Sequence, residues 1–199
     1  MAEERAGEVQ LRPPRRRTAL FSALGLGVAL VLLVTLLASS DSSASRAGES
    51  PLLGRPAPSL EGASLLPGGD DFSLSDQTGR WTVVNFFATW CVPCQAEHPD
   101  LVRFSADHAE VGDARVVSVV FSDEPDDVAR FFAEHGGSWP VLEDPVGQVA
   151  LAWGVTGVPE SFLVGPDGSV RAKIVGGVEY DKLQGLLTRA QAGSGGGGG

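Results

Sequence analysis

Alternating hydrophobic and polar positions divide the central and C-terminal parts of the chain into short elements. Two nearly continuous apolar runs, over residues 81–87 and 115–121, predict strands that are buried on both faces of a sheet. Apolar residues at helical spacing, bounded by Gly and Pro, predict helices. These helices cover residues 93–108, 125–135, 146–153 and 179–190.

Turn residues add two hairpins to this pattern. Gly165-Pro166-Asp167-Gly168 joins two short apolar segments, 161–164 and 170–175, and predicts a hairpin before the last helix. Residues 59–79 are broken by Gly and Pro, and their short alternating segments predict a hairpin at the start of the fold. Strands that alternate with helices therefore predict an α/β fold, with a central mixed β-sheet flanked by helices and an N-terminal β-hairpin extension.

An uncharged apolar stretch lies near the N-terminus. Residues 18–40 carry no charge and directly follow three arginines at 15–17. A helix of this length can cross about 30 Å of hydrocarbon, and the basic cluster predicts that residues 1–17 stay in the cytoplasm. We expect a single-pass membrane anchor, with everything after residue 41 outside the cytoplasm. A cleaved signal peptide is the alternative, since small residues at 38–40 and 43–45 offer cleavage sites.

Composition sets the remaining boundaries. Residues 41–55 are rich in Ser, Ala, Gly and Pro and predict a flexible tether, followed by a folded domain over 56–191. The Gly-rich segment 192–199 is predicted to be a disordered tail. From residue 41 onwards there are 22 acidic and 10 basic side chains, and the whole chain has a formal charge of −10. This excess of acidic side chains argues against nucleic-acid binding and is typical of a charged surface that keeps a protein in solution.

Both cysteines of the chain lie in one CxxC motif between the first buried strand and the helix that follows it. At a helix N-terminus, Cys91 and Cys94 would lie on one face with their Cα atoms about 5–6 Å apart, which suits a disulfide. Free N–H groups and the helix dipole there lower the pKa of the Cys91 thiol. A redox-active pair is the favoured interpretation. The alternatives are a short structural disulfide and a metal site that adds His98.

The CxxC motif and a second segment, residues 157–164, give the chain a resemblance to the thioredoxin superfamily. This resemblance covers about residues 54–190. The closer resemblance is to the membrane-anchored TlpA/ResA/DsbE (CcmG) group of extracytoplasmic thiol–disulfide oxidoreductases. It rests on Val84-Asn85-Phe86-Phe87-Ala88-Thr89-Trp90-Cys91-Val92-Pro93-Cys94-Gln95-Ala96-Glu97-His98-Pro99 and on Gly157-Val158-Pro159-Glu160-Ser161-Phe162-Leu163-Val164.

The resemblance implies roles for the cysteines and for the groove beside them. Cys91 attacks the disulfide of the partner, and Cys94 resolves the mixed disulfide. Pro159 is expected to be cis and to lie against the pair, so that the backbone of Val158 can bond an extended substrate. An ordinary loop proline is the alternative. Three neighbours of the cysteines complete the expected groove: Trp90, Val92 and Pro93.

Acidic residues are the second expectation from the resemblance. Ordinary thioredoxins place a buried Asp six residues before the first cysteine, where this chain has Asn85, which cannot accept a proton. Glu97 follows Cys94 by three residues and matches a glutamate that tunes the cysteine pKa values in the TlpA-like group. Glu160 matches a glutamate that is typical of the DsbE/CcmG branch and could contact the substrate or shape the groove. The alternatives are a solvated helix carboxylate for Glu97 and a surface charge for Glu160.

The function implied by the resemblance is the reduction of disulfides in exported proteins, such as the CxxCH motif of apocytochrome c during cytochrome c maturation. A membrane thiol reductase of the DsbD/CcdA type would then re-reduce the Cys91–Cys94 disulfide. No metal and no organic cofactor is required. Two alternatives stay open: an oxidase that forms disulfides in exported proteins, and a Sco-type copper chaperone on the same fold.

Overall fold

A computed structural model describes residues 25–35 and 46–195, which belong to two separate units. Residues 25–35 form helix α1. Among the described residues no helix combines the length and the apolar character needed to cross a membrane. Most of the predicted span 18–40, all of the N-terminal segment 1–17 and the first residues of the predicted tether lie outside the described residues.

Residues 46–195 contain the predicted mixed sheet. Its six strands are β1 (Arg46–Ala47), β4 (Trp81–Phe87), β5 (Ala114–Phe121), β6 (Val141–Asp144), β7 (Glu160–Val164) and β8 (Val170–Val175). They run in the order β1-β8-β7-β4-β5-β6, with β4, β5 and β6 parallel and the other neighbouring pairs antiparallel. A separate two-stranded sheet, β2 (Glu61–Gly62) with β3 (Phe72–Ser73), confirms the N-terminal hairpin.

Helices alternate with the strands as the pattern predicts. They are a 3₁₀ turn (Leu74–Gln77), α2 (Val92–Val111), α3 (Pro125–His135), α4 (Gln148–Trp153) and α5 (Tyr180–Gly195). Helix α2 extends past the predicted end at residue 108 and stops at Gly112, whose left-handed φ of 72° favours glycine. Helix α5 continues to Gly195, so residues 192–195 of the predicted disordered tail are helical.

The central sheet separates two hydrophobic cores. Val83 and Phe87 on β4 pack with side chains of α2, α3 and α5, whereas Val84 and Phe86 on the same strand pack with Trp153 of α4. Successive side chains of a strand point to opposite faces, so a strand with a core on each side must be apolar throughout. This arrangement explains the continuous apolar run that marks β4 in the sequence.

The prediction of a flexible tether is wrong for residues 46–55, which pair with strand β8. Residues 46–47 form β1 against Val175 and Ile174 of β8, and the N–H of Gly48 donates to the carbonyl of Lys173 at 2.9 Å. Further along, the N–H of Gly54 donates to the carbonyl of Val170 at 2.8 Å. Residues 46–55 therefore cover the edge of β8 as part of the folded domain.

Candidate active site

The two cysteines lie where the central strand β4 passes into helix α2. They form a disulfide with Cα atoms 5.2 Å apart, within the range expected from their spacing. Cys91 is the N-cap of α2, and the backbone N–H of Cys94 donates to Cys91 Sγ at 3.3 Å. When the pair is reduced, this N–H and the helix dipole both favour a thiolate on Cys91.

A second segment of the chain meets the disulfide from β7. The Val158–Pro159 peptide bond is cis, as the resemblance implies. The Val158 carbonyl oxygen lies 3.6 Å from Cys91 Sγ. Pro159 is buried and leads directly into β7, whereas Val158 is half-buried. The backbone of Val158 therefore lies beside the sulfur that would meet a substrate.

The three predicted groove residues surround the disulfide on the outside. Trp90 is 59% exposed and Val92 is 73% exposed, while Pro93 is half-buried in the first turn of α2. The indole N–H of Trp90 donates to the carbonyl of Ser122 at 2.9 Å, which fixes the ring on the surface next to the pair. Trp90 thus lies outside the core and gives the site an exposed apolar rim, unlike Trp139 and Trp153, which are buried.

Glu97 is buried one helical turn after Cys94, with 4% of the residue exposed. Its Oε1 accepts a hydrogen bond from Asn85 Nδ2 at 2.8 Å, and its Oε2 accepts one from the backbone N–H of Val178 at 2.8 Å. Burial raises the pKa of Glu97 from 4.5 to about 7, against the two hydrogen bonds, which lower it. The alternative of a solvated helix carboxylate is therefore wrong, and Asn85 bonds this acid directly.

A small pocket of about 50 Å³ adjoins Glu97. It has room for one or two water molecules. It is lined by Pro93, Ala96, Asp100, Gly177, Val178 and Glu179. Glu97 itself also lines this pocket, so a group with a pKa near neutral pH adjoins a space that can hold water.

Glu160 does not project into the groove. It is the first residue of β7, is only 1% exposed, and lies on the face of the sheet that carries Phe162, opposite to Glu97. It pairs with Lys173 at 2.8 Å and accepts hydrogen bonds from the N–H and hydroxyl of Thr156. The alternative of a surface charge is wrong, because the side chain is enclosed; shaping the groove is what its position allows.

His98, the proposed third metal ligand, is engaged elsewhere. Its Nε2 lies 2.9 Å from the carbonyl oxygen of Gly136, and its ring packs against Phe131, Phe132 and Trp139. Burial lowers the pKa of this imidazole. Within residues 25–35 and 46–195, no cluster of three or more His, Cys, Asp or Glu side chains could hold a metal ion. The geometry therefore offers no support for the metal alternative.

Sequence reasoning missed the polar residues beneath Glu97. Ser118 donates to Asn85 Oδ1 at 3.3 Å, Ser161 accepts from Asn85 Nδ2 at 3.1 Å, and the indole N–H of Trp139 donates to Ser118 Oγ at 2.8 Å. A signal was available, because Asn85 and Ser118 are polar residues near the middle of two largely apolar strands, where an unpaired polar group is costly.

Comparison with known proteins gives consistent matches. A sequence model of the family described as Redoxin matches residues 52–187. The thiol:disulfide interchange protein CycY of Rhizobium leguminosarum bv. viciae is 38% identical over 120 residues, which are 60% of this chain and 61% of that protein. The thiol:disulfide interchange protein HelX of Rhodobacter capsulatus is 35% identical over 136 residues, covering 66% of this chain and 73% of HelX.

Among solved structures, a thiol:disulfide interchange protein of the thioredoxin family from Chlorobium tepidum TLS superposes with a TM-score of 0.62. It is 28% identical, and the match covers 72% of this chain and 99% of that one. The chain thus spans less than two thirds of the length of CycY but nearly the whole of this solved domain.

Proposed function

Because the chain belongs to the Redoxin family and carries its CxxC pair at a helix N-terminus, we propose that it is an extracytoplasmic thiol–disulfide oxidoreductase that reduces disulfides in exported proteins. The observation that carries this proposal is the position of Cys91. Its sulfur receives the Cys94 N–H on one side and lies 3.6 Å from the Val158 carbonyl on the other. The names of the relatives, thiol:disulfide interchange proteins, support the same activity.

The reaction proceeds in two exchanges. The Cys91 thiolate attacks one sulfur of the substrate disulfide, that bond breaks, and the other substrate sulfur leaves as a thiolate and takes up a proton. The Cys94 thiolate then attacks Cys91, which releases the second substrate thiolate and forms the Cys91–Cys94 disulfide. Two electrons pass to the substrate, and the pair must be reduced again before the next cycle.

Glu97 serves the second exchange. Cys94 must lose a proton before it attacks, and Glu97 lies one turn further along α2 on the same face. With a pKa of about 7, its carboxylate can accept this proton near neutral pH. The pocket beside Glu97 then lets the proton pass to water. A carboxylate in this position also opposes the formation of a nearby thiolate, so it tunes both cysteines.

For the substrate we propose the CxxCH motif of apocytochrome c, presented as an extended segment. Its backbone would bond the Val158 segment beside Cys91, and the exposed rings and methyl groups of Trp90, Val92 and Pro93 would contact its side chains. The resemblance to the DsbE/CcmG group supports this choice. Trapping the partners of a Cys94→Ser chain in cells and identifying them by mass spectrometry tests it; capture of exported proteins that lack CxxCH, and no cytochrome, would contradict it.

We also propose that residues 18–40 anchor the chain in the bacterial cell membrane, with the N-terminus inside and the domain outside. The basic residues before an uncharged 23-residue stretch support this orientation. A DsbD/CcdA-type membrane reductase would then supply electrons. The test uses cells whose outer membrane or cell wall has been removed but whose cell membrane is intact. A membrane-impermeant thiol reagent should label the reduced Cys91 of these cells. Labelling only after lysis would contradict this topology.

The direction of electron flow is tested by the reduction potential of the pair. A reductase should equilibrate with glutathione at a potential near the reducing end of the thioredoxin-like range, below about −200 mV. A value near −120 mV, that of a strong oxidant, would instead favour the disulfide-forming alternative. This measurement uses the full chain and separates the two functions without knowledge of the substrate.

A further inference from the structure

A series of buried hydrogen bonds runs from Glu97 over the neighbouring strands β4 and β5 of the central sheet. Glu97 Oε1 accepts from Asn85 Nδ2 at 2.8 Å, and Asn85 Oδ1 accepts from Ser118 Oγ at 3.3 Å. Ser118 Oγ in turn accepts from Trp139 Nε1 at 2.8 Å. Asn85 and Ser118 lie side by side on the paired strands β4 and β5, while Trp139 precedes β6. All are buried, and the exchange chemistry uses only the Glu97 end.

The direction of each bond follows from the tryptophan. An indole N–H can only donate, so it occupies a lone pair of the Ser118 hydroxyl. The single proton of that hydroxyl is then left for Asn85 Oδ1. The amide of Asn85 therefore has its oxygen on the Ser118 side and its NH₂ group on the Glu97 side. The two ends of an amide are nearly equal in shape, so only such partners decide which end faces the acid.

We propose that Ser118, itself held by Trp139, is a positioning residue that keeps the NH₂ group of Asn85 turned towards Glu97. Together with the N–H of Val178 on Oε2, this orientation gives both oxygens of Glu97 an N–H donor. Two donors favour the carboxylate, the form that can accept a proton. An inverted Asn85 amide would present its oxygen, which a protonated Glu97 could bond and a carboxylate could not.

The catalytic meaning of this inference rests on the proposed function, but the orientation of the amide can be tested without it. The charged groups that face Glu97 are few. Asp100 on α2 raises its pKa, and Glu179 lines the adjoining pocket before α5. The strands below present Asn85 and the two serines, which do not titrate. Replacing Ser118 therefore changes no charge near Glu97. A change in the titration of Glu97 then reports a change in the orientation of the Asn85 amide.

The experiment is a titration of Glu97 in the full, oxidised chain labelled with ¹³C at the glutamate carboxyl carbons, with Glu97→Gln identifying the resonance. Ser118→Ala should raise the midpoint from about 7 by about one pH unit, because the carboxylate loses a donor. Ser118→Thr keeps the hydroxyl and should restore the midpoint. Thr82→Val is the matched control: within residues 25–35 and 46–195 this buried hydroxyl of β4 has no hydrogen-bond partner, so the midpoint should not move.

A folded Ser118→Ala chain with an unchanged midpoint would overturn the inference. If that variant does not fold, Trp139→Phe removes the indole N–H and keeps an aromatic ring; it should raise the midpoint in the same direction, and no change would also overturn the inference. Thiol–disulfide exchange is measured separately. A chain that shows the shift in Glu97 but exchanges no disulfides would contradict the proposed function and leave the role of Ser118 intact.

Discussion

Lys173 and Glu160 form a buried ion pair, 2.8 Å apart, on the face of the sheet opposite to the redox site. Each partner also bonds the segment that leads to the cis proline. Lys173 donates to the carbonyl of Gly154 at 2.8 Å, and Glu160 accepts from the N–H and hydroxyl of Thr156. The pair therefore holds the backbone just before Pro159 from the opposite face of the sheet.

The first prediction concerns this pair. Lys173→Met should lower the free energy of unfolding by about 3–5 kcal/mol, because it leaves Glu160 buried without a counter-ion. Arg171→Met is the matched control on the same strand. Its partner Asp167 is exposed, so the loss should stay within about 1 kcal/mol. Urea denaturation at pH 7 measures both, and equal losses would show that the buried pair does not hold the fold.

The second prediction is a pH dependence of stability caused by Glu97. Its pKa is about 7 in the folded chain and ordinarily 4.5, so between these values the folded state binds more protons than the unfolded state. Stability from this group is therefore fully present below pH 4.5 and is lost as the pH rises through 7. The loss amounts to about 3 kcal/mol.

The measurement is urea denaturation of the oxidised chain at several pH values from 4.5 to 8. Glu97→Gln should remove most of the decline, whereas Glu110→Gln, at an exposed position of the same helix, should keep it. If the wild-type and Glu97→Gln chains lose the same stability over this range, another group causes the decline, and Glu97 is not the acid that titrates near neutral pH.

The third prediction separates the roles of the two cysteines. The Cys94→Ser chain should accumulate mixed disulfides through Cys91, because it lacks the sulfur that resolves them. The Cys91→Ser chain should accumulate few, because Cys94 lies inside the first turn of α2, whereas Cys91 is its N-cap and receives the Cys94 N–H. Non-reducing gels of both variants show the difference. Equal trapping by both cysteines would contradict the assignment of Cys91 as the attacking residue.

Periodicity was sufficient to predict most of the fold. The strand β4 is apolar at almost every position because a core lies on each side, and the CxxC motif marks a helix start because its cysteine caps the helix. The positions of the polar groups were harder to predict. Glu97 meets Val178, which is 81 residues away, and no local pattern encodes that contact.

The burial of Glu160 is hard to predict for a similar reason. A glutamate after a proline is typical of an exposed loop, and its burial depends on Lys173 from the neighbouring strand β8. The register of two strands decides which side chains meet, and this register was not predicted from the sequence. The composition of residues 46–55 predicts a tether, but backbone hydrogen bonds to β8 hold these residues, and composition carries no information about backbone pairing.

The last prediction concerns the edge of β8 that residues 46–55 cover. A chain truncated to begin at Pro56 should be less stable than one that begins at Arg46, because it loses β1 and the hydrogen bonds that join Gly48 and Gly54 to β8. Each such bond contributes about 0.5–1.5 kcal/mol, so the loss should reach several kcal/mol. The uncovered edge of β8 would also be free to pair with another chain. Urea denaturation measures the first effect and analytical ultracentrifugation the second. Equal stability and a monomeric state for both chains would show that residues 46–55 behave as the tether that their composition suggests.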